Sequence, residues 1–257
     1  MRNVLTIAGR ELKSYFVSPI AYVVLTGFLL LGGWFFFNLL ARFNSILTYY
    51  SMQQNPQVLQ RLNLNEFVIA PLLHNLSVVL VILVPVITMR SLAEEKKAGT
   101  YELLLTSPLR VSEIVLGKFL GSFVFVAIMV ALTGVYPLIL FAYGEPETGV
   151  VLGGYLGLLL MATSFVAIGL LASSFTENQI IAAVSGIVAL LLLYIVNWPA
   201  DNAGETIGAL LRYLAITEHF AQMVKGVIDS KDLVYFATVI VLALFLTHRS
   251  VESVRWR

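Results

Sequence analysis

Long stretches of this chain carry no charge, and six of them are strongly apolar: residues 14–41, 67–89, 119–144, 148–176, 178–200 and 233–248. A bilayer core is about 30 Å thick, and an α-helix crosses it in about 20 residues. Backbone amides in lipid are satisfied only inside a helix or a closed barrel, and apolar runs of this length are helical. The pattern predicts an all-α integral membrane protein with six transmembrane helices, at about 20–41, 68–90, 116–143, 150–173, 179–198 and 232–248. The last is the shortest, with 16 uncharged residues, which puts Asp232 and His248 at the two interfaces. The first run, at 28 residues, exceeds the 7–15 of a signal-peptide core, so it is expected to be retained. Composition agrees: 59% of residues are hydrophobic and 12% charged, against about 25% charged in soluble domains. Residues 1–257 read as one membrane domain.

Charge placement orients the spans. With the N-terminus inside, eleven Lys and Arg fall on the cytoplasmic face and five outside. By the positive-inside rule both termini are cytoplasmic, in a multi-pass protein of the bacterial inner membrane. Residues 1–16 read as an amphipathic interfacial helix: Val4, Ala8, Leu12 and Phe16 share a face with Leu5, opposite Arg2, Thr6, Arg10 and Lys13. Between spans five and six, within the external segment 204–228, Gly204–Tyr213 and Glu218–Val227 have helical spacing but are too short to span. They read as external surface helices or as re-entrant ones, which need protein around their backbone.

The most charged stretch, Arg90 to Lys118, is pinned between spans two and three and therefore lies on one face of the membrane. Leu92–Lys97 extends the preceding helix into water, Gly99 stops it, and Thr100 is positioned as a cap for a second, short helix. Glu102 suits that helix's first turn, Tyr101, Leu104 and Leu105 form an apolar face, and Ser107-Pro108 ends it. On these residues alone the coupling segment 94–107 fits an ordinary solvated loop as well as an elbow that receives force from a cytosolic partner.

The residues themselves favour the elbow by resemblance. Arg90…Glu94-Glu95-Lys96…Gly99-Thr100-Tyr101-Glu102-Leu103-Leu104-Leu105-Thr106-Ser107-Pro108…Glu113-Ile114-Val115-Leu116-Gly117-Lys118 resembles the signature of ABC-2 type permeases. These are the membrane subunits of one class of ATP-binding-cassette exporters. The tail Glu218-His219-Phe220…Gly226-Val227-Ile228-Asp229…Asp232-Leu233 is similar to the gliding-motility-associated and nitrous-oxide-reductase-maturation permeases. The resemblance implies a cytoplasmic coupling helix in which Glu94, Glu95, Lys96, Gly99, Thr100, Tyr101, Glu102, Leu105 and Thr106 meet a cytosolic ABC ATPase dimer. It further implies a second permease chain, identical or paralogous, surrounding membrane lipid and periplasmic accessory proteins as partners. The expected function is export along a path formed by the dimer. The alternative is transmission of ATPase work to a periplasmic or motility apparatus without solute transport.

Other chemistry finds no support. There is no P-loop, His-Glu-x-x-His or Gly-x-Ser-x-Gly motif. No cysteine and only three scattered histidines remain for metal ligation. The chain is therefore expected to be no enzyme, to hold no cofactor or metal, and to bind no nucleic acid, with ATP and magnesium bound by the partner. The spans carry no acidic or basic residue at mid-depth, so the expectation is that no buried ionisable group couples to an ion gradient, which disfavours an ion-coupled carrier. Pro85 and Pro137 are candidate kinks, and Gly117/Gly121 and Gly153/Gly157 are candidate close helix contacts, within one subunit or at a dimer seam. Trp34, Phe35, Phe36 and Phe37, toward the external end of the first span, form either an interfacial aromatic belt or a pathway lining.

Overall fold

The computed structural model describes residues 2–53, 62–99 and 109–254, and every regular element among them is helical. Helix α1 (Arg2–Val17) ends at Ser18, whose extended backbone and hydroxyl, accepting the Ile20 amide at 3.4 Å, cap α2 (Pro19–Met52). Pro19 suits the first turn, where an amide has no helical partner. A π-helical turn, Asn65–Ile69, leads into α3 (Ala70–Thr88) and then α4 (Arg90–Lys97). There follow α5 (Val111–Leu132), α6 (Val135–Tyr143), α7 (Thr148–Ser174) and α8 (Gln179–Ile195). Two short helices, α9 (Glu205–Leu214) and α10 (Ile216–Val224), precede α11 (Ser230–Val254).

The core forms around α7, which packs against α3, α5, α8, α10 and α11. Small residues along α7 make this crowding possible. A Cβ at Gly154 would strike Leu73, and one at Gly169 would strike the Thr88 hydroxyl. The two glycine pairs serve contacts inside the chain. Gly117 and Gly121 on α5 form the groove for α1, and a Cβ there would lie 2.6 Å from Ile7 Cβ and 2.7 Å from Glu11 Cβ. Gly153 and Gly157 seat α10, with Met223 and Phe220 across them.

Pro137 produces a break with a visible repair. Its missing amide leaves the Thr133 carbonyl without the helical bond four residues on. The Tyr155 hydroxyl donates to that oxygen at 2.9 Å, and α5 gives way to α6 through Thr133-Gly134. Pro85 lies inside α3, and its ring fills the space above Gly186 of α8.

Five helical segments among the described residues are long and apolar enough to cross a membrane: Pro19–Met52, Asn65–Lys97, Val111–Tyr143, Thr148–Ser174 and Ser230–Ser253. The expectation of six full-length spans thus meets a shorter fifth run, since α8 has 17 residues. Asn197-Trp198-Pro199 explains the early stop, because a residue before proline is pushed out of the helical region. The last helix, expected to be the shortest, has 25 residues because it runs on from Ser230 past Asp232 and His248.

Candidate functional site

Four chain segments converge at one end of the bundle, and the side chains there are unlike those elsewhere in it. α1 lies along α5 in the Gly117/Gly121 groove, and Asn3 Nδ2 donates to Glu113 Oε1 at 3.2 Å. The Glu113 carboxylate also accepts the Arg110 amide at 3.1 Å, closing the N-terminus of α5. The inward face of α1 is Val4, Ile7, Ala8, Glu11, Leu12, Tyr15 and Phe16. Leu5, expected on that face, is 67% exposed.

Lys118 is the centre of this end. Its side chain is 4% exposed, and its ammonium pairs with Glu95 at 2.8 Å and Glu11 at 3.3 Å while donating to the Ser91 carbonyl. The Ser91 hydroxyl donates to the other Glu11 oxygen at 2.9 Å. Tyr15 and Ser122 extend the network, 2.9 Å apart. Burial, and next the Glu11 charge, push the Tyr15 phenol far above its ordinary range, so it stays protonated and available as a donor. One lysine shared by two carboxylates ties α1, α4 and α5 together.

A second tie joins α4 to α7. The first amides of α4 lack helical partners, as at any helix start. Ser173 Oγ accepts the Leu92 amide at 3.1 Å and the Ala93 amide at 3.0 Å, and donates to the Met89 carbonyl at 3.0 Å. Lys96 Nζ donates to the Ser174 carbonyl, which the Ser250 hydroxyl of α11 also reaches, at 3.2 Å.

These contacts place the proposed coupling residues. Glu94 is exposed, Glu95 and Lys96 turn toward the bundle, and Gly99 ends the helix in a left-handed conformation with φ of 68°. Thr100, Tyr101, Glu102, Leu105 and Thr106 lie outside the described residues. The stretch expected to extend into water does so only on one side, because Ser91, Leu92 and Ala93 are buried against α7.

The aromatic run divides around its helix. Phe36 is buried and stacks on Tyr136 at 5.4 Å, Phe35 is half-buried, and Trp34 and Phe37 are 66% and 69% exposed. It occupies the middle of α2, which continues past Arg42 to Met52.

The opposite end holds a group that sequence reasoning missed. His219 Nδ1 and Asp232 Oδ1 are 2.7 Å apart, both residues are buried, and the imidazole stacks on Tyr235 at 3.9 Å. His219 Nε2 lies 3.0 Å from the Tyr213 carbonyl. Ionisable groups are thus buried at Lys118 and at His219–Asp232, each near a helix end with its partner on a different helix. The 13-residue interval between His219 and Asp232 is no recognised spacing, so the pattern alone did not reveal the pair. Among the described residues no cluster of three His, Cys, Asp or Glu could hold a metal ion.

Comparison with curated proteins gives no match. The family model for the ABC-2 family transporter protein matches residues 5–249, nearly the whole chain and every helix described above. With its long apolar helices wound around α7 and that match along its length, the chain belongs to the ABC-2 family of transporter membrane proteins.

Proposed function

We propose that the chain is the permease subunit of an ABC exporter of the bacterial cytoplasmic membrane, working as a dimer driven by a separate cytosolic ATPase. The reading rests on how the root of the 100–108 segment is held. α4 is fastened to α1 and α5 through Lys118 and to α7 through Ser173, so a push on that segment is delivered to three helices together. Glu94 and Gly99 are the described surface at which the ATPase docks.

In this reading the chain crosses six times with both termini and the 94–107 segment cytoplasmic. The contacts of α8 favour its counting as a crossing. Gly186 meets Pro85 and Tyr194 meets Ser77, so α8 runs antiparallel to α3, and Asn197 reaches Glu218 at the far end. Its 17 residues rise about 26 Å, close to the core thickness. The half-buried α10 then acts as a re-entrant plug beside α7.

The test is the complex with a cognate cassette ATPase. The chain alone neither binds nor hydrolyses ATP. Gly99→Pro forbids the positive φ, and Glu94→Lys reverses the exposed charge. Both variants are expected to assemble with the ATPase yet lower its substrate-stimulated rate. Full stimulation in both would refute the docking role, and gradient-driven transport by the lone chain would refute the assignment.

A further inference from the structure

The end of the bundle that carries Lys118 also contains a cavity of about 290 Å³, bounded by α1, α2, α3, α4 and α5. Its position is set by the sequence. Ser14, Arg90 and Lys118 mark where three uncharged runs begin or end, and all three line it. The cavity therefore lies at the level where apolar chain gives way to charge, the level of lipid phosphates in a bilayer.

Its walls have two characters. Ile20, Ala21, Val24, Val86 and Phe125 form an apolar side. Arg10, Arg90 and Glu94 form a charged side, in front of the Lys118 network. Within that network the lysine is neutralised by Glu11 and Glu95. Arg90 differs: half-buried, it makes no hydrogen bond or ion pair with any described residue. A guanidinium held in a cavity without an acceptor is matched to phosphate, which it binds in a planar fork. Beside it, Glu94 suits an amine, and three cations against three carboxylates leave the lining neutral overall.

We infer that this cavity binds one zwitterionic phospholipid, its phosphate on Arg10 and Arg90, its amine on Glu94, and an acyl chain along Ala21, Val24 and Phe125. A lipid so placed fills the angle between α1 and the bundle. The inference goes beyond the transport reading and needs no ATPase.

The experiment measures phosphorus per chain after exhaustive detergent washing, and the thermal shift on adding back defined lipids. The intact chain is expected to keep about one phospholipid and to be stabilised by phosphatidylethanolamine more than by phosphatidylglycerol. Arg90→Gln is expected to weaken lipid binding roughly tenfold, the range of one charge-assisted hydrogen bond. Ala21→Phe, which fills the apolar side and leaves every charge in place, should abolish retention, while exposed Lys231→Gln at the other end leaves it unchanged. Retention equal to the intact chain in both cavity variants overturns the site, as does an intact chain that keeps no phosphorus. Equal stabilisation by phosphatidylglycerol overturns the amine contact. Inorganic phosphate or phosphoethanolamine giving the whole shift makes this a site for a soluble anion and overturns the lipid.

Discussion

Replacing Lys118 by Met tests whether one buried ammonium fastens three helices. Methionine retains most of the stem volume, so the change removes charge and hydrogen bonds while opening little space. What remains is two carboxylates, Glu95 formerly at 2.8 Å and Glu11 at 3.3 Å, and the Ser91 carbonyl, all without the cation. Breaking a buried pair by deleting one partner costs about 3–5 kcal/mol. The Glu11 and Glu95 side chains keep 14% and 25% of their exposure. Water therefore recovers part of the loss, which favours the low end, about 3 kcal/mol. At about 2–4 °C per kcal/mol for a chain of this size, the midpoint should fall by about 6–12 °C. Thermal unfolding in detergent, followed by tryptophan fluorescence, reads this directly. Lys231→Met is the control: its pair with Asp229 is exposed and worth about 0–1 kcal/mol. Neutralising Glu11 and Glu95 to Gln in the Lys118→Met background should restore more than half of the lost stability. A Lys118→Met midpoint no lower than that of Lys231→Met, or no recovery on neutralisation, would show that the network does not hold the helices.

Three further outcomes are expected. Gly121→Val puts side-chain atoms where Glu11 Cβ and the Ala8 carbonyl lie, costing about 1–3 kcal/mol, and should release α1 to proteolysis at Lys13 while Gly9→Val does not. His219→Ala strands the buried Asp232 carboxylate and should cost about 3–5 kcal/mol in thermal stability, with the His219→Ala/Asp232→Asn variant recovering part of it. In a chain without native cysteine, Ala203→Cys should react with an impermeant thiol reagent from outside intact cells and Ala98→Cys should not; the reverse pattern inverts the topology.

The apolar runs were legible because a bilayer imposes a length and a composition that no other environment demands. The helices nevertheless run on past the charges that close the uncharged runs: α2 carries Arg42 and continues to Met52, and α11 begins before Asp232. Gly99 could be read as a stop because a positive φ is a property of one residue. The networks could not be read in this way. Glu95 and Lys96 stand in a run of four charged residues, and nothing in that run tells which of them turn inward. That depends on Lys118, 23 residues on, for Glu95, and on the Ser174 carbonyl, 78 residues on, for Lys96. The glycine pairs stood between these cases: close contact was evident from spacing, and the identity of the neighbours, α1 and α10, was not.

The Ser173 hydroxyl makes the α3–α4 elbow a keyed joint. One oxygen from another helix holds two amides and a carbonyl of the bend, so the bend's angle is written in α7 rather than in its own residues. Any tilt of α4 that leaves α7 behind strands two amides in a dry place, at about 1–3 kcal/mol each. The joint is consequently stiff when dry, and a single water molecule entering beside Ser173 would lubricate it by taking over those amides.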